Sequence, residues 1–352
     1  MLVVYHHDDL DGISAAAVLK QYTKYQTTTS SFNSFTYNDE FNKHTLRDDV
    51  VILDLSFGEN TYEKLLNICN NAHNVIWIDH HSTSIELEKA HKEELQSIRN
   101  LTYFINDNFS GAVLSYLYFH LPPEEIYKIR NKEKDEEYNI TINMNESDNY
   151  NIDYRIFVEM SKFSKKSLSY QYAESFVIPK WLALVDDYDC WKHKKNASKY
   201  FQLGVTSEDN YNIVKYDENS DMYVFNSLWD NLEDREKWFR LIEKGKIIYN
   251  YLINKYKEEF GMTFVWEYDG KKFLCKNGIG NSYHFVDQIC NYDAAILFHY
   301  NGKIGKWKYS IYSDNNTGMN CREFAEKFNG GGHTHASGFT TEMLLFTHKD
   351  PQ

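Results

Sequence analysis

The sequence predicts an α/β protein of two unequal domains joined by a helical linker, and three observations carry that prediction. Short apolar runs alternate with helical patterns through the first third of the chain. From about 226 to 260, charged residues alternate with Leu, Ile, Trp and Tyr at helical spacing, as in exposed helices that bridge domains. Strand-like runs then return and lead to a glycine run near the C-terminus. The resulting division is a first domain at 1–225, the linker at 226–260 and a smaller mixed α/β domain at 261–352, and a length of 352 residues favours two domains over one.

Leu2 to Tyr5 reads as the first strand, and Ile13 to Tyr25 as a helix that opens on Gly12 and Ser14. Val50 to Leu55 is a second strand-like run, Thr61 to Asn71 a helix, and Val75 to Ile78 a third strand. This rhythm predicts a parallel sheet flanked by helices, with function at the carboxyl ends of its strands. Each of these strands ends in Asp or His, residues that are costly beside a core unless paired or ligating a metal. Gly111 to Leu121 is an apolar helix stopped by Pro122 and Pro123. The next stretch, about 124–176, is a polar insertion. Its part from Lys128 to Tyr150, rich in Lys, Glu, Asp and Asn, reads as a solvated or mobile excursion. Apolar structure resumes near Ile178 and Trp181 to Val185. In the last domain, Thr263 to Trp266, Lys272 to Lys276, Ala294 to His299 and Lys306 to Tyr312 are strand signals.

Hydrophobic residues at 42%, aromatics at 16% and only 4 prolines belong to an ordered globular chain. No apolar stretch reaches membrane-spanning length and no leader pattern opens the chain, so the expectation is a cytoplasmic protein with no membrane partner. Five cysteines without a Cys-x-x-Cys pair suit neither a disulfide framework nor a thiolate zinc site and read as ordinary thiols. The net charge of -13 excludes long duplex nucleic acid as a natural partner, because that binding relies on a basic surface. An acidic protein can still act on phosphates if bound cations reverse the local field, which joins a small substrate to a metal site.

Four acid and imidazole clusters carry the chemistry. His7, Asp9 and Asp11 in His7-Asp8-Asp9-Leu10-Asp11-Gly12 can converge on one side of an extended turn, and carboxylates with an imidazole suit a hard divalent cation. Asp54 closes the second strand, and Asp79-His80-His81 closes the third, where neighbouring imidazoles point different ways. Asp186, Asp187 and Asp189 follow the apolar run at Leu184-Val185. Taken singly, an acidic turn or a helix cap accounts for each cluster. Taken together, they are what a binuclear site requires.

His7-x-Asp9-x-Asp11-Gly12, Asp54, Asp79-His80-His81 and Asp189 before Cys190-Trp191 resemble, in order, the four motifs of DHH phosphoesterases. Gly330-Gly331-Gly332-His333 through Gly338 resembles the substrate-binding signature of the partner DHHA1 domain, and the branch most similar is the oligoribonuclease B or cAMP/cGMP phosphodiesterase type. The resemblance implies a DHH domain, a helical linker and a DHHA1 domain. It also implies two divalent cations, Mn²⁺ foremost with Mg²⁺ as the alternative. His7 and Asp9 would belong to one metal site, Asp11, His80 and Asp189 to the other, and Asp54 would bridge them. As catalytic residues, Asp79 would orient a ligating imidazole and His81 would face the scissile phosphate. Gly330, Gly331, Gly332 and His333 would hold the substrate across an interdomain cleft. The implied activity is hydrolysis of short oligonucleotides, nano-RNA or linear dinucleotides to mononucleotides by water activated between the two metals. Rival readings are a RecJ-like single-strand exonuclease, a cyclic nucleotide or dinucleotide phosphodiesterase, a pyrophosphatase or polyphosphatase, and an inactive nucleotide-binding protein. Which of Asp186, Asp187 and Asp189 ligates is open, as is the choice between monomer and homodimer. One departure stands out: in Lys308-Tyr309-Ser310-Ile311-Tyr312-Ser313 a Tyr stands where relatives often present Arg.

Overall fold

A computed structural model describes residues 1–6, 9–22, 32–35, 49–120, 136–145, 154–164, 167–192, 195–280, 282–285, 289–314 and 318–346. His7 lies outside these residues, as do Thr23 to Tyr25 at the end of the expected first helix. The chain divides into two compact units, Met1–Lys246 and Ile247–Gln352.

The first unit begins with β1 (Leu2–His6), α1 (Leu10–Tyr22), β2 (Phe32–Phe35), β3 (Val50–Leu53), α2 (Tyr62–Asn71) and β4 (Val75–Asp79). It continues with α3 (Ser82–Ala90), α4 (Lys92–Ser97), β5 (Leu101–Ile105) and α5 (Gly111–His120). All five strands form one parallel sheet in the order β2-β1-β3-β4-β5. Successive strand residues point to opposite faces. Val3, Tyr5, Val51, Leu53 and Ile78 accordingly pack with α1 and α5, while Val4, Val50, Ile52 and Trp77 pack with α2, α3 and α4. Burial on both faces makes each strand an apolar run, which is why β1, β3 and β4 stand out in the sequence. The order reverses between β1 and β3, so the carboxyl ends of these strands open the crevice where such sheets bind ligands.

The stretch read as a polar excursion contains a three-stranded antiparallel sheet of β6 (Glu136–Asn145), β7 (Tyr154–Ser164) and β8 (Ser167–Ile178). Ile140 pairs with Met160, Ile142 with Val158 and Met144 with Ile156, so apolar residues recur at every second position of this ladder. After it come α6 (Lys180–Asp189), α7 (Asn196–Thr206), the hairpin β9 (Val214–Asp217) and β10 (Met222–Phe225), and α8 (Arg235–Glu258), inside which the two units divide. Trp181 of α6 stacks on Trp238 of α8 with ring centroids 5.2 Å apart, and Trp229 lies 6.2 Å from the first and 6.0 Å from the second. A Cβ on Gly204 of α7 would strike the carbonyl of Leu241, and one on Gly245 the carbonyl of Tyr200, so these helices cross backbone to backbone.

The second unit has β11 (Phe264–Tyr268), β12 (Lys271–Asn277), β13 (Ala294–Asn301), β14 (Lys306–Tyr312), α9 (Cys321–Glu326), β15 (Gly331–Gly332) and β16 (Ala336–Thr341). Its mixed sheet runs β11-β12-β13-β14-β16-β15, with only the β12–β13 pair parallel. Phe273, Ile296, Tyr309, Ile311 and Phe339 pack with Phe324 of α9. Among the described residues, no helix is long and apolar enough to cross a membrane.

Candidate metal centre

The site begins where β1 ends. Asp9 Oδ1 accepts the Gly12 amide at 3.1 Å and so caps α1. The helix therefore starts at Leu10, and Asp11 and Gly12 lie in its first turn rather than in the extended turn expected before Ile13. A Cβ on Gly12 would collide with the His6 carbonyl, which explains why glycine follows the acids. His6 is buried, and its Nδ1 lies 3.0 Å from Asp9 Oδ2. A histidine is thus paired with Asp9, and among the described residues it is His6; the expected His7 lies outside them. The signal for His6 was the His6-His7 doublet itself.

Asp54, just after β3, is fully buried, with φ at 53°. Its amide donates to the Ile78 carbonyl at 2.9 Å, which holds the turn against β4. His80 Nε2 faces three carboxylates: Asp54 Oδ1 at 3.2 Å, Asp189 Oδ2 at 3.3 Å and Asp11 Oδ2 at 3.6 Å. The Asp11 oxygens also accept the Gly111 amide at 2.6 Å and the Ala112 amide at 3.0 Å, at the N-terminus of α5, where the helix dipole favours an anion. A Cβ on Gly111 would stand 2.9 Å from Asp54 Oδ1 and 3.1 Å from Asp11 Oδ2. Gly111, unremarked in the sequence, is therefore the space through which α5 approaches both acids.

Both oxygens of Asp54 and Oδ2 of Asp189 are buried without a hydrogen-bond partner among the described residues, the His80 contacts being close but outside hydrogen-bonding geometry. Burial, and then the neighbouring Asp11 and Asp9, push the Asp54 carboxyl well above the usual range. Burial followed by Asp189 takes Asp11 up to about 7, and burial followed by Asp9 takes Asp189 up to about 7. An uncompensated group of this kind is what a cation corrects. Three sets of side chains have ligand atoms close enough to share an ion: His6 with Asp9 and Asp54, Asp54 with His80 and His81, and His80 with Asp189 and Cys190. These donors fit the divalent cations that the motifs imply, an oxygen-rich set with imidazole suiting Mn²⁺ or Mg²⁺.

Asp79 accepts from His81 Nδ1 at 2.8 Å and from the Ser84 hydroxyl. Burial raises the Asp79 pKa, but His81, His80 and Ser84 together outweigh it and hold the carboxylate ionised. Burial likewise opposes charge on His81, yet Asp79 and the nearby acids lift it to about 9, so its imidazolium persists at neutral pH. His80 goes the other way, kept neutral by burial and by the charge on His81. The imidazole that Asp79 orients is thus His81, not the carboxylate-facing His80.

The three acids of α6 separate by their partners. Asp186 accepts Lys192 Nζ at 2.6 Å and the Ser110 amide at 2.8 Å, and Asp187 accepts the Lys195 amide at 3.2 Å. Asp189 is the one that points into the cluster. In the second unit, Gly330 is pressed against Gly338 and Phe339, Gly331 is exposed, and Gly332 adopts φ 136°. The half-buried His333 donates its amide to the Ala336 carbonyl at 2.8 Å, closing a tight turn. Tyr309 is buried in the core and accepts the Leu345 amide at 3.0 Å, whereas Tyr312 donates to the Gly280 carbonyl at 3.3 Å.

Solved structures that match over nearly the whole chain include the following two. One is a pGpG-specific phosphodiesterase from Vibrio cholerae, 13% identical, covering 97% of this chain and 93% of its own, with a TM-score of 0.40. The other is an exopolyphosphatase-related protein from Bacteroides fragilis, 12% identical, covering 99% of this chain and 87% of its own, with a TM-score of 0.39. No curated protein sequence matches the chain. Residues 1–148, which supply every clustered side chain except Asp189 and Cys190, match the family described as DHH family, N-terminal domain.

Proposed function

We propose that this protein is a divalent-metal-dependent phosphoesterase that cleaves short oligonucleotides or linear dinucleotides to mononucleotides. The observation that carries this reading is Asp54, whose buried and unpartnered carboxylate sits among Asp11, His80 and Asp189 at the carboxyl ends of a parallel sheet. Asp9 with His6 and Asp54 would hold one cation, and His80 with Asp11, Asp54 and Asp189 the other. Such ions activate water and stabilise charge on the phosphoryl oxygens, and Mn²⁺ suits this mixture of imidazole and carboxylate.

The chain's own groups do the rest. Neutral His80 offers a lone pair where a charged imidazole could not ligate. His81, held charged by Asp79, donates to a non-bridging phosphate oxygen and gains strength as negative charge builds there. The amides at the start of α5 keep Asp11 in place while the carboxylate retains lone pairs for a ligand. Water is the nucleophile in this reading, the hydroxyl of the fully buried Ser84 being held by Asp79. In the second unit, Gly331 and His333 contribute to substrate binding. A net charge of -13 favours short substrates, because extra nucleotides gain little from an acidic surface.

The deciding experiment incubates the purified chain and Mn²⁺ with dinucleotides, cyclic dinucleotides, longer single strands and pyrophosphate. Linear dinucleotides should be cleaved fastest, and a chelator should abolish turnover. Preference for pyrophosphate, or undiminished activity in chelator, would refute the proposal.

A further inference from the structure

Cys190 follows Asp189 at the end of α6, and its Sγ, a nitrogen of His80 and a carboxylate oxygen of Asp189 all lie within 4.8 Å of one another. Nε2 of His80 is 3.2 Å from Asp54, whose fully buried oxygens lack any hydrogen-bond partner among the described residues, and 3.3 Å from the equally unpartnered Asp189 Oδ2. The sulfur thus borders the part of the centre where ligand atoms stand ready and unsatisfied. From this geometry we propose that Cys190 is an additional ligand at the His80–Asp189 cation site, and that it biases that site towards borderline-soft ions such as Zn²⁺ or Co²⁺.

Around a tetrahedral zinc ion, with Zn–S of about 2.3 Å and Zn–N of about 2.0 Å, sulfur and nitrogen stand roughly 3.5 Å apart. An upper separation of 4.8 Å is within reach of a side-chain rotation. The rotation sacrifices little. The present contact of the thiol is a weak one to Asp186 Oδ1 at 3.7 Å, and Asp186 keeps Lys192 and the Ser110 amide whether or not the sulfur stays. Ligation converts the thiol to a thiolate and releases its proton to the buffer. Thiolate is the soft ligand of the set, so its presence discriminates against Mg²⁺ and Mn²⁺ relative to Zn²⁺ and Co²⁺. Among the described residues the other cysteines belong to no such set: Cys69, Cys275 and Cys321 are buried in cores, and Cys290 is exposed in the second unit.

The proposal rests on the metal-dependent reading, and cobalt separates the two. The full-length chain, stripped by chelator and kept reduced, is titrated with Co²⁺ alone. Bound cobalt shows visible ligand-field bands, and a cobalt–thiolate bond adds a near-ultraviolet charge-transfer band. Wild type should show both, while Cys190→Ser and Cys190→Ala should keep the visible bands and lose the near-ultraviolet one. The preference for Zn²⁺ over Mn²⁺, measured by competition, should fall by roughly tenfold or more in both variants. Visible bands without the charge-transfer band in wild type, or a band that survives in both variants, would overturn the thiolate ligand and leave the metal site standing. A chain that binds no cobalt at all would overturn both.

Discussion

At Asp54 the backbone is left-handed with φ of 53°, a conformation that Asp and Asn tolerate better than other residues with a side chain. Asp54→Asn therefore keeps the turn and removes only the charge. Its kcat/KM should fall by about a hundredfold or more, since the proposed bridge serves both cations. Melted without metal, the same variant should be more stable than wild type, because an unpartnered buried carboxylate is gone. A variant that kept most activity would exclude the bridging role. The raised carboxylates also set a pH dependence. A group whose folded pKa lies above its unfolded value binds more protons when folded, so its contribution to stability declines as pH rises between the two values. For Asp11 and Asp189 the window runs from about 4 to about 7, with Asp54 acting in the same direction. Within the first unit the lowered pKa of His80 opposes this below about 6.5 as a single group against three, and in the second unit the lowered pKa values of His284 and His335 oppose it as well. The first unit of the metal-free protein should thus melt at progressively lower temperature from pH 4 to pH 7, and saturating Mn²⁺ should remove the slope; a first-unit melting temperature that rises across this range would contradict the carboxylate cluster. At this scale the residue pattern by itself left open which of Asp186, Asp187 and Asp189 joins the other acids. Asp186 and Asp189 differ by Lys192 and the Ser110 amide, partners that only the folded chain brings to Asp186.

Among the elements, the crossing of α7 and α8 admits the least change. Gly204→Ala would drive a methyl group into the Leu241 carbonyl and push the helices apart, at a cost of about 1–3 kcal/mol. Thermal melting should show a drop of several degrees, while Mn²⁺ affinity stays close to wild type, since neither helix carries a clustered acid; an unchanged melting temperature would mean that the crossing adapts. The legibility of elements follows burial. β1, β3 and β4 are covered on both faces and read as unbroken apolar runs, and β14 was bounded at the residue, Lys306 to Tyr312. β5 was missed because Thr102 interrupts a short run. The three-stranded sheet of β6 to β8 was hidden by overall polarity, although Ile140, Ile142 and Met144 alternate with Asn139, Thr141 and Asn143 in the pattern of a strand. Composition over a long window concealed a period of two within it.

For the whole molecule, the two-part α/β architecture followed from the order of the patterns, because neighbouring elements in sequence are neighbours in the sheets. Net charge then bears on substrate size. A dinucleotide should have a higher kcat/KM than a single strand of about twenty nucleotides, a length well beyond one binding groove. His333→Ala should lower the efficiency on di- to tetranucleotides and leave Mn²⁺ binding intact, because it removes a positioning contact rather than a ligand. Faster cleavage of the long strand, with no loss on removing His333, would point instead to a processive exonuclease.

The trio of Trp181, Trp229 and Trp238 has a consequence for observing the protein at work. Indole rings 5.2 to 6.2 Å apart couple their electronic transitions, so the cluster gives a paired circular-dichroism signal whose amplitude depends on the mutual angle of the rings. Trp181 stands near the start of the helix that ends at Asp189, while Trp238 belongs to α8. A change in the tilt of that helix when an ion is taken up would alter the ring angle and hence the signal. A label-free circular-dichroism titration with Mn²⁺ would therefore report whether that helix tilts when the Asp189 side of the centre is occupied.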